Sequence, residues 1–312
     1  MTNFYGQYVG FGSGGVTVEP YHGYGSNYAF SAAGTTGPPA WPNIVTIDKF
    51  AIASVADATD VSDMTVARTG VAGAFSTTHG YGAGGDGSPG TIDKYSFTSG
   101  GAATGVGDLV AGPTGTSRGC SSTEFGYCSG GNTGGLDMIQ RWSFAADLDA
   151  TDVGNLSVGD RNTSPGNAQS STYGYCVGGD DPSVDVIDKW AFASATTDAE
   201  DVGNLTAAKT SVGSNSSSTH GYASGGSGLI TAVERFSFAA GTQNAAGVGD
   251  LAAGNLAPGG QNSETYGFVS GGLLLPATNM IQQIAFASDT VDAVDRNANL
   301  FTARGYTACA QY

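Results

Sequence analysis

The chain has 312 residues, with 27 acidic side chains against 11 basic ones and a formal charge of -16. So few cations exclude a surface that tracks nucleic-acid phosphates, and the acidity sets the chain against an anionic membrane. Charged residues are only 12% of the total while Tyr, Phe and Trp number 14, 14 and 3, so this is a folding chain with a sizeable core and not a disordered one.

Residues 1–26 carry Tyr5, Tyr8, Phe11, Tyr21 and Tyr24 among glycines. They lack a basic segment followed by a continuous apolar one, so they do not read as a secretory signal. They are set apart as an N-terminal extension, placed to lie across the body of the molecule or to dock on a neighbour.

From residue 27 onward three landmarks recur. The first is a strand with an aromatic, closed by small residues: AFSAAG (29–34), GYGAGG (80–85), GYCSGG (126–131), GYCVGG (174–179), GYASGG (221–226) and GFVSGG (267–272). The aromatics Phe30, Tyr81, Tyr127, Tyr175, Tyr222 and Phe268 stand 51, 46, 48, 47 and 46 residues apart. The second landmark alternates apolar and polar positions: TIDKFAI (46–52), TIDKYSF (91–97), MIQRWSF (138–144), VIDKWAF (186–192), AVERFSF (232–238) and MIQQIAF (280–286). The third is an acidic turn, such as DATDVSDM (57–64), DATDVGNL (149–156), DAEDVGNL (198–205) and DAVDRNANL (292–300). After it come TAR-like segments such as TVAR (65–68), TAAK (206–209) and FTAR (301–304).

Short strands of this kind, at a period of about 47 residues, predict an all-β, six-bladed propeller over residues 27–312. A single four-stranded sheet cannot bury both faces, whereas six stacked about an axis bury each against its neighbours. No segment keeps a helical period with caps. The last TAR is followed only by GYTACAQY (305–312), so this segment is expected to supply the innermost strand of the first blade and close the ring.

This order of a basic residue, an aromatic strand ending in Gly-Gly and a second aromatic strand resembles the kelch repeat. The family's Trp in the third landmark is replaced by Val61, Val106, Val153, Val202 and Val248. Its basic residue is matched by Arg68, Arg161, Lys209 and Arg304 and replaced by Pro113 and Asn255. The Gly/Ser/Thr-rich, acidic style is also similar to kelch-like proteins of aquatic bacteriophages. That likeness implies a virion component such as a fibre, tail or head decoration; otherwise the chain is expected to be soluble.

The candidate chemistry is sparse. His22, His79 and His220 do not make the Tyr/His/Cys set of kelch-like copper oxidases, and no GxSxG nucleophile motif or phosphate loop is present. The DxxD turns offer two carboxylates each, fewer than calcium loops supply, and read as solvated turn acids. Cys120, Cys128, Cys176 and Cys309 read as reduced thiols, with a bond from Cys309 to an early blade left open. The chain is therefore expected to be no enzyme, to need no cofactor or metal, and to have no membrane span. Its expected partners are other proteins of an assembly, or a host-surface glycan or receptor. The candidate contact residues are Trp41 on the proline-stiffened loop TTGPPAWPN (35–43), Tyr21 and Tyr24 in the extension, and Leu274 in LLLPA (273–277), which occupies the matching loop of the sixth repeat.

Overall fold

The computed structural model describes residues 25, 27–87, 90–110, 118–131, 137–159, 161, 166–180, 183–194, 196, 198–239, 244–273, 276–288, 290 and 292–312. All regular structure there is strand, and no helix among these residues is long and apolar enough to cross a membrane.

The chain begins its strands with β1 (Tyr28–Ala32), β2 (Thr46–Ala51) and β3 (Thr59–Asp63). Four complete blades follow. They are β4 (Ala72–Phe75), β5 (His79–Ala83), β6 (Thr91–Ser96) and β7 (Thr104–Asp108); then β8 (Arg118–Ser121), β9 (Phe125–Ser129), β10 (Met138–Ser143) and β11 (Thr151–Asn155). Next come β12 (Gly166–Gln169), β13 (Tyr173–Val177), β14 (Val186–Ala191) and β15 (Glu200–Asn204), and β16 (Gly213–Ser216), β17 (His220–Ser224), β18 (Ala232–Ser237) and β19 (Ala246–Asp250). The sixth blade is β20 (Gly259–Asn262), β21 (Tyr266–Ser270), β22 (Met280–Ala285) and β23 (Val294–Asn299), after which β24 (Ala308–Gln311) returns to β1.

The result is a six-bladed β-propeller of antiparallel four-stranded sheets. The first blade has the order β24-β1-β2-β3, with Ala29 opposite Gln311 and Ala32 opposite Ala308. This is the one-plus-three closure expected of the terminal segment. The innermost strands β4, β8, β12, β16, β20 and β24 adjoin one another in a circle about the axis. They all run from what is here called the upper face, which carries the link into each blade and the turn between its second and third strands. The remaining turns lie on the lower face.

The local reasons are repeated in each blade. The paired glycines take positive φ, as at Gly84 (63°) and Gly85 (101°), a geometry that side chains resist. In four blades the glycine before the strand aromatic makes room for a ring on the next strand: a Cβ at Gly126 or Gly174 would lie 2.4 or 2.5 Å from the ring of Trp142 or Trp190. The core is accordingly six slabs between blades. One joins Phe30 and Ile47 to Tyr95 and Phe97, and the slab across the seam joins Phe268 and Ile281 to Ala29 and Phe50. Across five junctions the aromatic of one blade lies against a Phe of the next, as in Tyr175–Phe238 at 4.8 Å and Tyr81–Phe144 at 4.8 Å. At the seam the Phe is replaced by Ile52, and Arg296 fills the gap, its guanidinium 4.9 Å from the Phe268 ring centre.

The alternating second landmark suggested a polar face, but its Asp48, Asp93, Gln140, Asp188, Glu234 and Gln282 are all buried. Each accepts the backbone N–H of the preceding link: Thr65 to Asp93 at 2.9 Å, Val110 to Gln140 at 2.7 Å, Thr206 to Glu234 at 2.7 Å. Four also receive a cation from that link. Arg68 pairs with Asp93 at 2.8 Å, Arg161 with Asp188 at 2.8 Å and Arg304 with Asp48 at 2.6 Å, all fully buried, and Lys209 pairs with Glu234. The other two acids are replaced by Gln140 and Gln282, facing the repeats in which the cation is replaced by Pro113 and Asn255. Charge is thus lost from both partners together, as it must be if neither can stand alone away from water.

Two expectations follow. Removing residues 305–312 strips the first blade of its inner strand, so the truncated chain should lose its single cooperative unfolding transition, as read by calorimetry. Asp93→Gln should cost about 3–5 kcal/mol because Arg68 is left charged and unpaired, whereas Asp93→Gln with Arg68→Met should recover most of that loss in a urea titration.

Candidate functional site on the upper face

The loop between β1 and β2 is the longest of its kind among the described residues and is tied at several points. Thr35 and Gly305 exchange two backbone hydrogen bonds at 3.0 Å. Inside the loop, Trp41 N–H donates to Gly37 O at 2.9 Å, and Thr35 Oγ1 donates to Pro42 O at 3.2 Å. Asn43 Nδ2 crosses to the next blade and donates to Asp86 O at 3.4 Å. On the other side the loop abuts the sixth blade, where a Cβ on Gly37 would lie 3.1 Å from Leu273. The loop of the first blade therefore meets that of the sixth at Leu273 and Ala277.

Trp41 is held at φ 50° and is 47% exposed. A bulky side chain in the left-handed region is a strained arrangement that the surrounding ties must impose. Beside it opens a cleft of about 400 Å3, lined by Thr35, Trp41, Asn43, Thr69, Asp86 and Tyr306. Its side-chain donors and acceptors are two hydroxyls, one amide, one carboxylate, one phenol and one indole N–H, and its walls include two aromatic rings. No cation lines it. Thr69 Oγ1 is buried and without a hydrogen-bond partner. Tyr306 is also at positive φ (57°), with its hydroxyl 3.5 Å from that of Ser211.

Of the candidate contact residues, Trp41 is placed at this cleft. Tyr21, Tyr24 and Leu274 lie outside the described residues. Asn43, Thr69, Asp86 and Tyr306 were not singled out from the sequence. Tyr306 was accessible in principle, because it occupies the repeat position of Gly70, Ser211 and Ala257, where every other described residue is small.

The remaining candidates are structural. Asp57, Asp149, Asp198 and Asp292 are exposed, and each carboxylate also accepts a backbone N–H of the preceding blade, from Asn299 (2.9 Å), Asp108 (3.0 Å), Asn155 (3.0 Å) and Asp250 (3.0 Å). Among the described residues no group of three or more His, Cys, Asp or Glu converges to hold a metal ion. His79 and His220 each sit 2.8 Å from the hydroxyl of the adjacent Thr78 or Thr219. Burial draws the His79 imidazole below its ordinary value of 6.5. All four cysteines are free thiols, so the bond left open for Cys309 is not formed. Burial pushes the Cys176 thiol up to about 11, which makes it a poor nucleophile at neutral pH.

The chain matches no known protein-family model, and no curated protein matches it.

The backbone strain at Trp41 gives a direct test. Trp41→Gly accepts the left-handed geometry and Trp41→Ala does not, so the Gly variant should be the more stable of the two by about 1 kcal/mol in chemical denaturation.

Proposed function

We propose that this propeller is a non-catalytic recognition module carried by a larger assembly, a virion in the reading that the phage-like style implies. The cleft beside Trp41 takes the partner, and a neutral glycan of a host surface is the class of ligand its chemistry suits. The observation that carries this reading is an exposed tryptophan fixed in a costly backbone geometry at the edge of a cleft that mixes aromatic faces with hydroxyl, amide and carboxylate groups. Aromatic faces offer stacking surface to the apolar side of a sugar ring, and the polar groups fix its orientation. A formal charge of -16 supports the same reading, because it suppresses non-specific sticking to phosphate-rich and anionic surfaces and leaves recognition to the cleft. The kelch label fits the order of the repeats and belongs with this proposal.

The test is an array of neutral and acidic glycans probed with the native chain and with Trp41→Ala. The native chain should bind a neutral subset, and the variant should lose at least about tenfold in affinity while unfolding cooperatively, as expected of a Trp anchor. A blank array, or a variant that binds as the native chain does, counts against the cleft as the recognition site.

A further inference from the structure

A second feature lies on the axis, away from the cleft. The inner strands begin with Ala72, Arg118, Gly166, Gly213, Gly259 and Ala308, five small residues and one arginine. Arg118 is only 8% exposed. Its Nη1 donates to Thr307 O at 3.0 Å, at the start of β24. Because β4 stands between β8 and β24 in the ring, the side chain reaches past one whole blade along the axial wall.

Among the described residues its charge has no carboxylate partner. Arg68, Arg161, Arg304 and Lys209 each have one, and Arg296 is spread over the Phe268 ring and three carbonyls, those of Ala51, Ile52 and Ser54. The titratable groups that act on Arg118 are Cys309 and Tyr306. Burial pushes the Cys309 thiol up, so it stays neutral and offers no compensating charge. Burial likewise pulls the Arg118 guanidinium below its ordinary range, the mark of a cation removed from water. Two of its nitrogens, Nε and Nη2, have no hydrogen-bond partner.

The same part of the axis holds a cavity of about 60 Å3 whose lining includes Arg118, Asn167, Ser214, Thr307 and Cys309. Ser214 Oγ is also buried and unpartnered. Two side chains from blades on different sides of the ring thus bring spare donors to one cavity, and one of them is a lone cation. Unsatisfied donors and unpaired charges are each costly away from water. The space, about 60 Å3, has room for water molecules or for a small ion.

We propose that the axial cavity binds one small monovalent inorganic anion of the halide class, held by Nε and Nη2 of Arg118 and the hydroxyl of Ser214. The ion neutralises the guanidinium that, among the described residues, stands alone at the hub of the ring, and ties the blade of β8 to the blades of β16 and β24. The site is independent of the Trp41 cleft and of what that cleft recognises.

Bromide is the probe. Crystals of the native chain soaked in bromide should show an anomalous peak on the axis in contact with Arg118, and Arg118→Met crystals should not. In solution, replacing gluconate by chloride at constant ionic strength should raise the native unfolding temperature in a saturable way. Arg118→Met should flatten that rise, and Ser214→Ala should shift its midpoint to higher chloride. An axis without an anomalous peak in the native crystal overturns the proposal, as does an equal chloride response in Arg118→Met. If that variant fails to fold, the native bromide map and the Ser214→Ala titration still decide the matter.

Discussion

At every junction one blade presents backbone N–H groups and the next supplies side-chain acceptors, and the ring depends on this directed arrangement. It operates at three radii. Near the axis, Phe75 N–H donates to Ser121 Oγ, Ser121 N–H to Gln169 Oε1, Gln169 N–H to Ser216 Oγ, Ser216 N–H to Asn262 Oδ1, and Asn262 N–H to Gln311 Oε1. At mid-radius the acids and glutamines of the third strands do the same for the links. At the rim the turn aspartates do it for the outer strands. Strand edges turned toward a neighbouring sheet would otherwise leave polar backbone groups short of partners. The apolar slabs supply attraction between blades, and the directed hydrogen bonds supply register.

The buried ion pairs belong to this scheme and explain its conformity. Each cation is held at two levels. Its backbone carbonyl receives an N–H from the glycine turn of its own blade, as Arg68 O does from Gly34, while its side chain crosses to the next blade; the Lys209 ammonium meets Glu234 there, and the arginines also cap carbonyls, as Arg68 does at Gly82, Gly84 and Thr91. A link so anchored fixes the distance between blades. The inner ring lacks one acceptor, because the position of Ser121, Gln169 and their equivalents is filled by Phe75 in the second blade. That blade packs on the one completed by β24, and there apolar packing replaces the polar contact, with Phe75 against the cluster that includes Val71 and Ala308.

The propeller, its blade count and its closure were legible because each rests on local rules repeated six times: alternating strands, glycine turns and a surplus strand at the end. What stayed hidden are the interactions between repeats. Asp48 and its equivalents look like the polar half of an alternating strand, and only their partners in the preceding link show why they are buried. The joint loss of charge at Asn255 and Gln282, and at Pro113 and Gln140, carried that pairing in plain view once the repeats are read two at a time. The turn aspartates are exposed and, as at Asp152 and Asp201, bond the amides of their own turn; what no single repeat displays is that Asp57, Asp149, Asp198 and Asp292 also serve the neighbouring blade. At the candidate site the proline-stiffened loop pointed to Trp41, but the cleft beside it draws on three further segments, at Thr69, Asp86 and Tyr306, and no local pattern announces that convergence.

The pairing of β1 with β24 also bears on how the molecule is made. During vectorial synthesis β1 emerges first among the strands, and its inner neighbour follows only after β2 to β23. Until then the first sheet has an open inner edge and the sixth blade faces an unfinished wall. A nascent chain therefore carries an unsatisfied strand edge through nearly all of its translation. A completed β24 from a second molecule could fit that edge as well as the chain's own, so crowded polysomes favour strand exchange between copies, and dilution or chaperone shielding favours the closed monomeric ring.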